Sequence, residues 1–279
     1  MKPAEIILID DGSTDQTATI AKAYDEVTYV YQANSGLSQA RNSGLSLCTT
    51  SYILFLDADD VLTEDAVEVL LACIEANPSS AFVSGSFSRI DENGGSTIFW
   101  KIPEPLSDNL YHALLLENYI AMPGTVLYQT KILTKFGGFD VSYNSAEDYD
   151  TYLRISSEYP IKYTNQKVGL YRTVSNSMSS NGVRMLNTTI RAIDAQKASA
   201  KLDADAIKAY HSGRKSLQRR YCRKIALNSV THALSGDLKK AKDSFLFIAN
   251  YSITLFFRSY FWVIYKGLSR GFRRLVWKN

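Results

Sequence analysis

Carboxylates come in three clusters along this 279-residue chain, each near the start or end of a regular element. Asp10-Asp11-Gly12-Ser13-Thr14-Asp15 follows an apolar run at residues 4–9. Asp57-Ala58-Asp59-Asp60 follows a second apolar run at 52–56, and Glu147-Asp148 lies just beyond Gly137-Gly138-Phe139-Asp140. Three carboxylates within four residues repel one another unless a cation or hydrogen-bond donors offset them. Hard oxygen ligands of this kind suit Mg²⁺ or Mn²⁺, ions that keep several positions for water and phosphate oxygens. Plainer readings stand beside these. The first cluster also suits a strand-to-helix turn, because Asp and Ser cap helices and Gly permits the turn. The second also suits a solvated turn. Ser145-Ala146-Glu147-Asp148 fits a capping box, with Ser145 as cap and Asp148 reaching back to its amide.

The elements that must position these groups alternate. Residues 4–9 read as a buried strand, Thr14 to Ala23 as a helix, 27–31 as a strand and 38–47 as a helix. Residues 52–56 form a third strand, and Thr63-Glu64-Asp65 opens a helix stopped by Asn77-Pro78. Alternation of this kind predicts an α/β fold, a mostly parallel sheet flanked by helices, with ligands beyond the carboxyl ends of its strands. Both Asp clusters lie there. Further on, 81–90 and 96–102 read as a strand pair across Asn93-Gly94-Gly95. A helix near 107–118, a strand at 124–128 and helices at 130–136 and from 147 to about 158 follow. Residues 186–235 read as helical, with a turn at Gly236-Asp237.

Hydrophobic residues at 46% and charged residues at 21% describe a globular protein of one large domain plus an appendage. A net charge of +3 argues for no nucleic-acid partner. Cys48, Cys73 and Cys222 are odd in number and lack metal-ligand spacing, which favours a reducing compartment. The scattered His112, His211 and His232 read as structural, and no Gly-rich, basic phosphate loop opens the chain, as a nucleotidyltransferase would require.

Taken in order, Asp10–Asp15, Asn34-Ser35-Gly36-Leu37-Ser38-Gln39-Ala40-Arg41-Asn42-Ser43-Gly44 and Phe55–Asp60 resemble the signature of family 2 glycosyltransferases. Gly137–Asp140 and Glu147–Arg154 look like that family's acceptor-side motif. The resemblance implies the A-type glycosyltransferase fold and an inverting transfer from a nucleoside-diphosphate sugar, with UDP the expected nucleotide. The acceptor it implies is a hydroxyl of a glycan or lipid-linked molecule, as in bacterial surface-polysaccharide synthesis. It also implies roles: Asp11 on the nucleobase, Arg41 and Asn42 near the nucleotide, and Asp57 on the ribose side. Asp59 holds Mn²⁺ or Mg²⁺, Asp60 shares either task, and Asp148 is the general base. A carboxylate base takes the acceptor proton, and a helix N-terminus is expected to keep Asp148 ionised.

The chain departs from the family pattern twice. It starts at what resembles the family's second strand, so residues 1–180 are expected to be an N-terminally incomplete catalytic domain. In the family's sheet order the strands at 5–9 and 53–57 flank the absent one and do not bond directly. The alternative function is an inactive, truncated nucleotide-sugar binder. Second, Leu170-Tyr171-Arg172-Thr173-Val174 carries Val174 where the family often has histidine.

Residues 181–279 form the expected helical extension. Its segment 245–265 would span roughly 30 Å as one helix at ~1.5 Å per residue, but Asn250, Ser252, Thr254 and Arg258 interrupt it, and a central Arg costs ~2.5–3.5 kcal/mol on insertion scales. Basic residues flank both sides, giving no orientation signal. The expectation is an interfacial helix on an anionic leaflet, with a packed helix or a membrane span as alternatives. The chain is then cytoplasmic, peripheral on the inner face of the cell membrane.

Overall fold

The computed structural model describes residues 2–100, 109–173, 178–199 and 203–276; the side chains at 96–100, 199 and 267–276 are outside the description. In chain order the elements are β1 (Ile6–Asp10), α1 (Thr17–Ala21), β2 (Val27–Tyr31), α2 (Leu37–Leu47), β3 (Tyr52–Leu54), β4 (Val61–Leu62), α3 (Ala66–Glu75), β5 (Phe82–Ile90) and β6 (Ser96–Trp100). There follow α4 (Leu110–Leu116), β7 (Val126–Gln129), α5 (Thr130–Lys135), α6 (Glu147–Ser156), β8 (Lys162–Arg172), α7 (Gly182–Ser199), α8 (Ala204–Leu234), α9 (Leu238–Tyr251) and α10 (Ile253–Val276).

The strands form two sheets. β1 and β2 pair in parallel, Ile6 opposite Val27 and Asp10 opposite Tyr31. The larger sheet runs β3-β7-β5-β8-β4, with β6 also on β5. Only β5–β8 is parallel there; β3–β7, β5–β7, β4–β8 and β5–β6 are antiparallel. The expected mostly parallel sheet is therefore corrected to a mixed one. Parallel pairing needs a crossover of a dozen or more residues, whereas β5 returns to β6 through the tight Asn93-Gly94-Gly95 turn, with Gly94 at φ +87°. The strands at 6–10 and 52–54 lie in separate sheets and share no hydrogen bond. Val174 and the end of the strand expected at 96–102 lie outside the described residues.

Two apolar layers hold the larger sheet. On one side α3 presents Ala66, Leu70 and Ile74 to Val83, Leu127 and Val168. Its end is fixed where expected, by the Asn77 side chain donating to the Cys73 carbonyl at 2.9 Å before Pro78. On the other side Phe82, Tyr128, Tyr149 and Tyr152 pack with α4, α7 and α8 in the main core. Tyr128 stacks on Tyr152 at 6.4 Å, and such aromatics bury large areas with defined geometry. Gly213 on α8 is required by contact: a Cβ there would lie 1.7 Å from the Leu115 carbonyl oxygen of α4.

The C-terminal region also departs from the single helix expected at 245–265. The chain breaks at Ser252 (φ −167°, ψ 116°), which separates α9 from α10. Phe245 of α9 packs edge-on against Phe256 of α10, with centroids 4.7 Å apart, so the two helices fold back on each other. Asn250-Tyr251-Ser252 interrupts the apolar run with a residue suited to capping, as Ser252 Oγ accepts from Leu255 N at 3.3 Å.

Candidate active site

α2 is the hub of the site. It begins after Gly36, whose φ of +89° suits glycine, and carries Arg41 and Asn42 one turn in. Arg41 is 6% exposed. Its Nη2 donates to Asp57 Oδ1 at 2.7 Å and its Nη1 to Glu147 Oε1 at 2.6 Å. It also lies 5.3 Å from the centre of the Phe139 ring. The end of β3 and the start of α6 are thus tied by one buried cation. Burial alone would lower the Arg41 pKa, but the charges of Asp57 and Glu147 outweigh it and hold the guanidinium charged. Arg41, expected near the nucleotide, here bridges Asp57 and Glu147. The Asn42 amide is likewise committed: Nδ2 donates to the Phe139 carbonyl at 2.7 Å and Oδ1 accepts from Phe139 N at 2.8 Å.

Gly138 makes that clasp possible. It sits at φ +69°, and a Cβ would come within 2.3 Å of Asn42 Oδ1. Arg154 Nη1 and Nη2 donate to the carbonyls of Phe136 and Gly138, both at 2.8 Å, while Nε pairs with Asp150 at 2.7 Å. Arg154 thus braces the 136–138 loop against α6, while Asn42 and Arg41 tie Phe139 and Glu147 to α2.

The capping box at 145–148 does not form. Ser145 Oγ bonds Thr188 Oγ1 at 2.8 Å instead, and the residue before α6 is Ala146, left-handed at φ 57° with no side-chain cap. That turn costs roughly 1–2 kcal/mol for a residue with a Cβ and aims Glu147 at Arg41. Asp148 then turns back on its own helix, accepting from Tyr149 N at 2.7 Å. Burial, then the charge of Glu147, push its carboxyl well above the ordinary carboxylate range. Burial thus acts against the ionised form that the helix N-terminus is expected to favour. An elevated carboxyl is what a proton acceptor at near-neutral pH requires.

Asp11 and Asp10 divide their labour. Asp10 is buried, accepting from Tyr29 Oη at 2.6 Å and Ser13 N at 2.7 Å, and these bonds, Tyr29 first, lower its pKa. Asp11 stays half-buried and organises the loop before α2: Oδ1 accepts from Gln32 Nε2 and Ser35 N, both at 2.8 Å, and Oδ2 from Gly36 N at 2.9 Å. A carboxylate has about four acceptor sites, so Oδ2 keeps one for a ligand. Gly12, at φ +90° with its Cβ direction 2.9 Å from Asn34 N, lets the two loops meet.

At 57–60 the three carboxylates are separated by role. Asp57 binds Arg41. Asp59 is exposed, and its carboxylate makes no hydrogen bond among the described residues. Asp60 is 7% exposed; Oδ1 accepts from Arg172 N at 2.9 Å, and Oδ2 is buried without a partner among the described residues. Burial pushes the Asp60 carboxyl up to about 7. Arg172 also donates through Nε to the Asp59 carbonyl at 2.9 Å and through Nη1 to the Asp91 and Glu92 carbonyls at 3.2 Å. Among the described residues no three Asp, Glu, His or Cys side chains converge on a metal position. The exposed Asp59 carboxylate beside the unpartnered Oδ2 of Asp60 still fits Mg²⁺ or Mn²⁺, ions held by one or two carboxylates and completed by substrate phosphate and water.

A sequence profile described as Glycosyl transferase family 2 matches residues 1–137, which include Asp11, Arg41 and the 57–60 cluster. Through these residues the chain belongs to glycosyl transferase family 2. It is 30% identical over 200 residues to chondroitin synthase of Escherichia coli, covering 69% of this chain and 26% of that protein. It is 28% identical over 193 residues to the glycosyltransferase GlyA of Streptococcus pneumoniae, covering 64% and 27%. The chain thus spans about a quarter of the length of these relatives. Residues 1–349 of S. aureus TarS in complex with UDP match with a TM-score of 0.59 at 18% identity, over 86% of this chain and 79% of that one. The mannosyltransferase PcManGT of Pyrobaculum calidifontis, in complex with GDP-Man and Mn²⁺, matches with 0.60 at 17%, over 99% and 79%. The family 2 chain has the A-type glycosyltransferase fold, with a helical region at its C-terminal end.

Glu147 and Arg172 are the two site residues with no local signal of their tasks. Glu147 reads as part of a helix cap, and its partner is 106 positions away. Arg172 lies within a segment of family resemblance, but its reach to the 57–60 loop depends on β8 pairing with β4.

Proposed function

We propose that this family 2 chain transfers a sugar from a nucleoside-diphosphate donor, with UDP the favoured nucleotide, to a hydroxyl of a glycan or lipid-linked acceptor, inverting the anomeric centre. The observation that carries this reading is the Asp57–Arg41–Glu147 chain of ion pairs, which ties the 57–60 loop to the first turn of α6, where Asp148 follows Glu147. The complexes of TarS with UDP and of PcManGT with GDP-Man and Mn²⁺ support it as precedents for the fold's ligands.

The free acceptor site on Asp11 Oδ2 takes the ring N–H of the nucleobase. Asp57, held by Arg41, faces the ribose side. Asp59, with the unpartnered oxygen of Asp60, would hold Mn²⁺ or Mg²⁺, which when bound offsets charge on the diphosphate leaving group. Asp148 takes the proton of the attacking hydroxyl, and burial, then the charge of Glu147, keep it basic enough to do so at neutral pH. Arg41 and Asn42 position these groups without reaching the substrate. One in-line displacement with a single base inverts the carbon it attacks.

A calorimetric panel of UDP, GDP and ADP with and without Mn²⁺, run on wild type and Asp11→Asn, tests the reading. UDP should bind tightest, more strongly with Mn²⁺, and Asp11→Asn should lose the preference among bases. No binding by any of the three, or equal binding of all three to wild type, refutes it.

A further inference from the structure

The outer face of α10 runs against the usual pattern. Its inner side packs Leu255, Phe256, Tyr260 and Val263 against the C-terminal core. A helix covering a core on one side normally shows polar residues on the other. Here the outer side shows Ile253, Phe257, Phe261, Ile264 and Tyr265, spaced at i, i+4, i+8 and i+11/i+12, each at least 60% exposed. Contiguous apolar surface of this kind marks a site of interaction.

Beside this stripe is a cleft of about 360 Å³ between α8 and α10, lined by Arg219, Arg223, Arg258, Phe261, Trp262 and Tyr265. Arg223 lies 5.2 Å from the centre of the Trp262 ring and Lys266 5.1 Å from it. Among the described residues no carboxylate pairs with Arg219, Arg223 or Arg258. From Ser244 to the end the chain contains Arg258, Lys266, Arg270, Arg273, Arg274 and Lys278 and no Asp or Glu. The surface therefore combines a cationic cleft with an aromatic ring between its charges and an apolar stripe alongside.

We propose that this face docks on an anionic lipid bilayer, with a headgroup phosphate in the Arg219–Arg223–Arg258 cleft and the α10 stripe in the outer acyl region. Three observations select this occupant. The charge is complementary to an anionic leaflet, and Trp and Tyr at the edge suit the water–hydrocarbon boundary. A second copy of the chain would bring two cationic clefts together. Among the described residues no helix is long and apolar enough to cross a membrane, so the helix lies on the surface. The inference does not depend on the proposed transfer reaction, because its test reads binding alone.

The test is flotation of the full chain with phosphatidylcholine vesicles and with vesicles in which phosphatidylglycerol replaces a minor fraction of the lipid. Binding to the anionic vesicles should be at least tenfold tighter and weaken in high salt. Each arginine removed near the surface should weaken it about fivefold, so an Arg219→Gln, Arg223→Gln, Arg258→Gln triple variant should lose about a hundredfold. A Phe257→Ser, Phe261→Ser variant should lose binding to both vesicle types. If the triple variant fails to fold by circular dichroism, the exposed Arg219→Gln alone should show the fivefold loss. Any of four results overturns the inference: equal affinity for neutral and anionic vesicles, unchanged binding after loss of arginine, no binding at millimolar lipid, or a lipid-free dimer that the double Phe variant dissolves. Duplex DNA bound as tightly as the anionic vesicles would overturn it too.

Discussion

Arginine has opposite partners in two regions of this molecule. At the hub of the site Arg41 is enclosed, and both terminal nitrogens are taken by carboxylates of the same chain. Between α8 and α10, Arg219, Arg223 and Arg258 line an open cleft with no carboxylate paired to them among the described residues. A guanidinium satisfied internally organises structure; one left for an external anion recognises a ligand. The same residue type therefore earns a positioning task in one place and a binding task in the other, and burial decides between them.

The largest expected effect tests the enclosed region. Asp148→Asn keeps the volume and the bond from Tyr149 N but removes the base. Turnover should fall ~10²–10⁴-fold with nucleotide affinity nearly unchanged. Steady-state rates and calorimetric UDP binding on the same preparation check this. A variant that loses UDP binding with its activity would assign Asp148 to the donor side.

Next comes the hub. Arg41→Met leaves Asp57 and Glu147 as uncompensated carboxylates, Glu147 being buried, and breaking a buried pair costs ~3–5 kcal/mol. Urea unfolding should show that loss, and Arg41→Lys should recover only part of it because an ammonium cannot span both partners. If Arg41→Met is as stable as wild type but binds UDP poorly, Arg41 contacts the donor after all.

The glycine pair in the 137–138 loop offers an internal control. Both residues have positive φ, at +75° and +69°, but only Gly138 has a neighbour in the way, Asn42 Oδ1 at 2.3 Å. Gly137→Ala should cost ~1–2 kcal/mol from backbone strain. Gly138→Ala should cost more and also slow turnover, because it displaces the Asn42–Phe139 clasp. Equal costs in thermal unfolding would mean the clasp is dispensable.

A smaller effect concerns pH. The raised Asp148 pKa places the acid limb of activity above the range of an ordinary carboxylate, ~3.9. A base works only when deprotonated, so the rate should rise with pH through that limb and level off above it. Glu147→Gln removes a like charge that raises Asp148. The limb should move to lower pH, and a limb that stays put would show that burial alone sets it.

What the sequence disclosed follows the same division. The 10–15 and 57–60 clusters lie at strand ends as their local pattern implied, because β1 and β3 are set by short-range apolar runs. The helix at 66–75 ends at Asn77-Pro78 for local reasons as well. Strand direction beyond residue 81 was not legible, since β5 meets β7 and β8 through pairings set by tertiary packing. Ser145 looked like a cap because capping is a local chemistry, but Thr188 of α7 offered its hydroxyl a partner from far along the chain. Composition gave the basic, apolar character of 245–265. It did not give the break at Ser252, where the fold-back of Phe245 onto Phe256 favours two helices over one.

The smallest expected effect tests the open region and separates it from the site. Phe261 is 73% exposed on the outer face of α10, where a polar residue gives up little packing. Phe261→Gln should change stability by no more than ~0.5 kcal/mol, the range of surface substitutions away from special features. UDP affinity should also be unchanged, because α10 packs on α8 and α9 and contributes no residue to the Arg41 network. Urea unfolding and UDP titration without lipid make the measurement. A loss of several kcal/mol would show that Phe261 is covered in solution, by a second copy or by the end of the chain, and the contrast between an enclosed site and an open docking face would fail. An unchanged stability leaves the phenyl ring with no structural purpose in the isolated chain, which is the condition a surface held for a partner must meet.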